Sequence, residues 1–177
     1  MHGYLIQTIL NAAIGPFRRL SWGTLYPMLS RLEKDGYIEP IETGKADPRG
    51  KKRYRTTEAG RTRFLEMMGE TGRYDAGYRD LFRLKLGCFG SVGEDIRLRI
   101  LQDNRAYLVQ LLEYTTSMVN RIEQDSAVVP DEKRFALLGL EHQQRLAYSE
   151  VEWVDFQINK QIAGVAQAKR PRTKRKG

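Results

Sequence analysis

The stretch Leu20-Ser21-Trp22-Gly23-Thr24-Leu25-Tyr26-Pro27-Met28-Leu29-Ser30-Arg31-Leu32-Glu33-Lys34-Asp35-Gly36 decides the fold. Leu25, Met28, Leu29 and Leu32 fall at i, i+3, i+4 and i+7, the stripe of an amphipathic helix. Gly36 stands where a helix ends on a left-handed residue. Ser21 or Thr24 caps the start. With Ser21 as cap, Pro27 lies inside the helix and bends it; with Thr24 it falls in the tolerated first turn. The face opposite the stripe carries Gly23, Pro27, Ser30, Arg31 and Lys34, with Thr24 and Tyr26 at its flanks. This helix buries one side and presents a small, polar and cationic one.

Working outward, Tyr4, Leu5, Ile9 and Ala12 sit near helical spacing, and Asn11 to Pro16 reads as a loop broken at Gly15-Pro16. Downstream, residues 37–43 and 52–56 alternate polar with apolar or aromatic side chains, as the strands of a hairpin do. Asp47-Pro48-Arg49-Gly50 between them is a turn sequence, and Pro40 marks an edge strand. Thr57 caps a further helix with Phe64, Leu65 and Met68 expected inside. Gly69, Gly72 and Gly77 then mark a boundary. Beyond it, residues 81–86 form a short helix, and Ser91-Val92-Gly93-Glu94 has the capping-box pattern at the head of a long one. Leu98, Leu101, Leu108, Leu112, Val119 and Ile122 repeat at 3–4 spacing there, interrupted by Arg105 and Thr115. Pro130-Asp131-Glu132 opens a second long helix with a stripe at Ala147, Val151, Val154, Ile158 and Ile162.

Helix, loop, amphipathic helix, basic hairpin, helix is the order of a winged helix-turn-helix. The fold expected is mainly α: a winged helix-turn-helix over residues 1–68 with a small β-hairpin wing, a linker at 69–80, a long-helix dimerisation and effector domain at 81–165, and a disordered basic tail at 166–177.

Charge follows the same division. The 177 residues carry a net +8. Residues 1–65 hold 12 basic against 6 acidic side chains, residues 66–168 hold 12 against 16, and residues 169–177 hold six basic and none acidic. A basic front suits a polyanionic partner. A helix fits the major groove of duplex DNA, and a basic hairpin grips phosphates beside it. The candidate DNA-binding residues are Ser21, Gly23, Thr24, Tyr26, Pro27, Ser30, Arg31 and Lys34 on the helix, with Arg49, Lys51, Lys52, Arg53 and Arg55 on the wing. Lys45 lies in the same hairpin. Tyr26 suits either DNA contact or packing on the wing, and Trp22 either an anchor or a base stacker. The tail suits either a solubilising or an auxiliary phosphate-binding role.

The two long helices leave apolar surface exposed in a single chain, which predicts a homodimer. Leu98, Leu101, Leu108, Leu112, Val119, Ile122, Val151, Val154 and Ile158 are the candidate dimer residues. Tyr148, Trp153 and Phe156 on the last helix suit a small amphipathic or aromatic effector, or the dimer core. The lone Cys88 rules out an intrachain disulfide and suits a reducing cytoplasm. No apolar run is long enough for a membrane span. One cysteine, two distant histidines (His2 and His142), no phosphate-binding glycine loop and no zinc-like spacing argue against an enzyme, and no cofactor or metal is expected.

Met1-His2-Gly3-Tyr4, Leu20 to Glu33, Gly36-Tyr37-Ile38 and Tyr54-Arg55-Thr56-Thr57-Glu58-Ala59-Gly60-Arg61 together resemble the PadR family of bacterial transcriptional regulators. Phe82-Arg83-Leu84-Lys85-Leu86 and the long helices resemble, more loosely, its longer branch. The resemblance implies a ligand-responsive regulator, usually a repressor. Such a protein dimerises through its C-terminal helices, binds an inverted-repeat operator, and uses residues 21–35 in the major groove and residues 38–56 as the wing. The family also places an apolar helix ahead of the Met-His-Gly-Tyr segment, at which this chain begins. Either the given start lies downstream of the true one, or the domain buries its core without that helix. The rival readings are a sequence-independent DNA-binding protein and a winged-helix protein-interaction module, the latter having no need of five basic residues within 49–55.

Overall fold

A computed structural model of the protein describes residues 7, 8, 10, 11, 15, 20–41 and 53–168. The chain divides into two compact units, Met1–Val92 and Gly93–Gly177. In the first, helix α1 (Trp22–Lys34) leads into a two-stranded antiparallel hairpin of β1 (Ile38–Ile41) and β2 (Arg53–Thr56), followed by α2 (Glu58–Gly69), α3 (Tyr78–Gly87) and a short 3-10 turn at Phe89–Ser91. In the second, α4 (Glu94–Gln124) and α5 (Pro130–Ala168) form an antiparallel pair. The mainly α winged-helix architecture expected from the sequence is the one observed. Tyr4, Leu5, Ile9, Ala12 and the 42–52 hairpin tip lie outside the described residues; of the tail expected at 166–177, residues 169–177 lie outside them too, while 166–168 are helical and belong to α5. Asn11, expected to open a loop, is helical, and the break comes at Gly15 with φ of 94°.

Ser21 is the cap of α1. Its Oγ accepts from the Thr24 N–H at 3.2 Å, and the two hydroxyls share a hydrogen bond at 3.0 Å. Pro27 therefore lies in the second turn of a continuous helix, with no N–H to offer the carbonyl of Gly23. The helix ends as Gly36 predicts. At φ of 75°, Gly36 donates to Glu33 O at 3.1 Å and Tyr37 to Leu32 O at 2.9 Å, the paired bonds of a left-handed stop.

Among the described residues of this unit, Leu25, Leu29 and Tyr54 form a buried cluster, with Leu10, Leu20 and Ile38 packed against them. Met28 and Leu32, expected inside, are exposed. They sit at the edge of the helical stripe, and the core residues cover only its centre. Asn11 clamps Leu20 by accepting its N–H at 2.6 Å, while Gln7 donates to the Leu20 carbonyl at 2.8 Å. On α2, Gly60 and Met68 are buried and Phe64 is half-buried, a run of i, i+4, i+8. Leu65 stands one residue off that line and is exposed, contrary to expectation. Lys85 of α3 is buried to its ammonium, which donates to the carbonyl of Glu70 at 2.7 Å. That bond caps the end of α2.

The head of α4 corrects the sequence reading. Gly93, not Ser91, is the cap residue and supplies no side-chain bond, because Ser91 is taken into the 3-10 turn. Glu94 and Asp95 in the first turn meet the positive end of the helix instead. Pro130 opens α5 as predicted, with Asp131 and Glu132 beside it. On the α4–α5 seam Leu101 and Leu108 are buried as expected, and Asn104 rather than Arg105 takes the turn between them. Leu101, Asn104, Leu108 and Thr115 are buried, while Arg105 stands at the side and binds Asp155 at 2.7 Å. Thr115 needs no partner across the seam, since its hydroxyl bonds the carbonyls of Leu111 and Leu112 at 2.9 and 3.1 Å.

The start of α2 generates the first prediction. A Cβ on Gly60 would meet the carbonyl oxygen of Tyr37 at 2.0 Å. Gly60→Ala normally favours a helix interior by about 1 kcal/mol. Here the sign is expected to invert, with a net loss of about 1–3 kcal/mol, read as a fall in the urea midpoint of the full chain. An unchanged or higher midpoint would show that the junction yields.

Candidate nucleic-acid interface

The burial of Leu25 and Leu29 aims the rest of α1 away from the core. Ser21, Gly23, Thr24, Tyr26, Pro27, Ser30, Arg31 and Lys34 are all exposed, so the structure brings the sequence-predicted helix residues onto one open surface. Gly23 keeps that surface flat: the only atom near an added Cβ would be Ser21 Oγ at 3.6 Å. Arg31 is 85% exposed, and its Nε lies 3.8 Å from Asp35 Oδ2, a separation that restrains it little. Both cations belong to the carboxyl-terminal half, where they also oppose the helix dipole. Tyr26 stacks on Trp22, with ring centroids 5.5 Å apart and an interplanar angle of 27°. They are 57% and 39% exposed, so Tyr26 is not packed under the wing.

The wing supplies the flanking charge through strand alternation. Tyr54 points into the core and its neighbours Arg53 and Arg55 point out. The register pairs Ile38 with Thr56, Glu39 with Arg55, Pro40 with Tyr54 and Ile41 with Arg53. Glu39 Oε1 therefore receives Arg55 Nε at 2.6 Å. Arg55 was read from the sequence as a phosphate contact, but its carboxylate partner was not. Only the register shows it, and the long connection between the strands left the register open. Arg49, Lys51 and Lys52, with Lys45, lie outside the described residues.

No three of His, Cys, Asp and Glu come together in a metal-binding group among the described residues. Burial pushes the Cys88 thiol above its ordinary range. His142 is exposed on α5, and His2 is outside the described residues. No described helix is long and apolar enough to cross a membrane.

The residues singled out for dimerisation separate into two groups. Leu101, Leu108 and Val154 are fully buried within the chain and have no surface to offer a second copy. Leu98, Leu112, Val119, Ile122, Val151 and Ile158 are half-buried. The reason is that α4 and α5 spend their matching stripes on each other. At 100° per residue, Phe135, Leu138, Leu146, Trp153 and Phe156 lie on the opposite side of α5, each 43–63% exposed. The sequence reading passed over three of them, although their 3–4 spacing is visible once the inner stripe is known. Trp153 and Phe156 share this outer face. Tyr148 lies on a flank about 140° around the helix from Trp153, so the three aromatics do not converge on one point.

Residues 1–66 match the model of the transcriptional regulator PadR-like family. No curated protein matches the chain. Among solved structures, it is similar to Bacillus subtilis PadR in complex with operator DNA, at 18% identity, 90% coverage of each chain and a TM-score of 0.40. It is similar to the same protein in complex with p-coumaric acid, at 18% identity over 91% of this chain and 90% of that one, TM-score 0.39. The PadR-like regulator BC1756 from Bacillus cereus is 17% identical over 93% and 91%, TM-score 0.38.

Glu39 restrains one of the wing cations, and this yields a prediction. Glu39→Gln should tighten binding to duplex DNA, by up to about fivefold given what an exposed pair is worth. The logarithmic salt slope should steepen by about 0.9, one phosphate contact. A salt titration of duplex affinity checks both. No change in slope would remove Arg55 from the interface.

Proposed function

We propose, from the premise that residues 1–66 form a PadR-like regulator domain, that the chain is a sequence-specific DNA-binding transcriptional regulator acting as a homodimer. The observation that carries this is the outward face of α1. Gly23, Pro27, Ser30, Arg31 and Lys34 stand exposed on a helix held by Leu25 and Leu29, and Arg53 and Arg55 stand exposed on the hairpin that follows. A helix so presented suits the major groove, and cations beside it suit the phosphates.

The outer face of α5 supports pairing of two copies. Five large apolar side chains spread over about 32 Å of helix, at 1.5 Å per residue, form a stripe that a soluble monomer rarely keeps in water. The span suits a second copy of the same helix, and isologous pairing covers both stripes at once. Two such chains would present two recognition helices to half-sites about one DNA turn apart, ~34 Å, and so favour an inverted repeat. In the same reading the regulator is a repressor. A small amphipathic effector that favours a pairing with the wrong spacing would release it, and a coupling of ~1–3 kcal/mol is typical.

Two outcomes are expected. First, with 6–10 phosphates neutralised, affinity for duplex DNA falls about 10³–10⁵-fold between 50 and 200 mM salt. Arg31→Ala then costs ~1–3 kcal/mol on a selected duplex and less on a random one if Arg31 reads a base. Absence of duplex binding at low salt would sink the proposal. Second, Trp153→Glu combined with Phe156→Glu gives monomers by sedimentation and abolishes preference for the selected duplex. Both side chains are exposed, so the monomer is expected to stay folded. A monomeric unmodified chain would refute the pairing.

A further inference from the structure

The outward face of α1 is divided along its length. Its first two turns, Trp22 to Ser30, contain no charged residue and no Asn or Gln. The first side chain able to make a bidentate hydrogen bond is Arg31. This matters because the amino-terminal residues of a recognition helix are those that meet base edges. Guanine is read by Arg or Lys, adenine by Asn or Gln, and cytosine by Glu or Asp. None of these side chains is present in the half of α1 that enters deepest.

The polar atoms in this half are largely spent locally. Ser21 Oγ accepts from the backbone N–H of Thr24, and the two hydroxyls bond each other at 3.0 Å. What remains outward is Gly23, the Ser30 hydroxyl at the far end of this segment, the Pro27 ring and the Tyr26 ring, the last held against Trp22 at 5.5 Å. Tyr26 is 57% exposed, so its ring has open surface. The one base feature in the major groove that matches an apolar tile is the C5-methyl of thymine.

We propose that the amino-terminal half of α1 specifies thymine through its C5-methyl group, with Tyr26 and Pro27 as the contacting side chains and Trp22 as the residue that positions Tyr26. The inference rests on the DNA-binding reading above and adds what that helix recognises. Arg31 and Lys34, a turn further along, take hydrogen-bonded or phosphate contacts outside the methyl-reading segment.

The test uses the full chain and a duplex enriched from a random pool by binding to it. The half-sites should contain T·A pairs. Each thymine is then replaced in turn by deoxyuridine, which lacks only the methyl. Burial of one methyl is worth about 0.8 kcal/mol, so each contacted position should lose about fourfold in affinity. The same replacement outside the half-sites should change nothing. Tyr26→Phe should keep the discrimination, because the ring makes the contact. Tyr26→Ser should bind thymine and deoxyuridine duplexes alike at the position it reads. An enriched duplex that the unmodified chain binds equally well in both forms overturns the inference and leaves the regulator standing. Failure to enrich any sequence overturns the sequence-specific reading beneath it, and the inference with it.

Discussion

The first unit depends on a junction of four residues. Gly36 turns the chain out of α1, and Tyr37 opens the path to the wing. Thr57 closes the loop from the other side: its hydroxyl donates to the Gly36 carbonyl at 2.6 Å and accepts from the Gly60 N–H at 3.0 Å, while its own N–H donates to Tyr37 O at 3.1 Å. One side chain thus caps α2 and ties it to the end of α1. Gly60 is required because the Tyr37 carbonyl lies where a Cβ would be. With these bonds made, the last turn of α1, the feet of both strands and the first turn of α2 cannot move independently. The angle between α1 and the hairpin is thereby held by hydrogen bonds as well as by packing.

The junction works alongside the packed core, in which Leu25, Leu29 and Tyr54 form a buried cluster among the described residues. Hydrogen bonds that satisfy helix ends and turn carbonyls avoid the larger cost of leaving them buried and unmade. The clamp of Asn11 and Gln7 on Leu20 serves the same end at the start of α1. Because two leucines hold the helix, most of its circumference stays outside, and the outward face is wide enough to carry two chemistries: apolar in its first turns and cationic in its last.

How much was legible in the sequence follows from which features are local. Gly36 could be read as the stop because only a residue at ease with positive φ closes a helix this way. Pro130 likewise marked the start of α5, since its missing N–H is harmless there. The cap of α1 was not decidable, because Ser21 and Thr24 both offer hydroxyls, and in the structure they bond each other. The inward set on α1 was read too broadly: periodicity gives the centre of a stripe, but its width depends on what packs against it. The same limit applies at one position of the α4 seam. Asn104 and Arg105 are adjacent polar residues, and nothing local says which one faces α5. The partner helix decides, by giving Arg105 the carboxylate of Asp155 at the side. Glu39 was missed because strand register is not a local property when a long connection joins the strands.

The second unit shows the same logic at larger scale. A long helix has room for two apolar faces, and α5 uses one of them on α4 through Ala147 and Val154. Periodicity detects the inner stripe first because it is the more regular, and residues that belong to it were read as available for a second chain. A residue with no exposed surface cannot serve both purposes. The stripe that remains outward is richer in aromatics: Phe135, Trp153 and Phe156 have large rigid surfaces whose ordering costs little conformational entropy, as surfaces built for association do. The inner stripe makes the hairpin stiff, and a stiff hairpin is what allows an outer stripe to set a distance. The buried seam of α4 and α5 thus fixes which face of α5 is left outward.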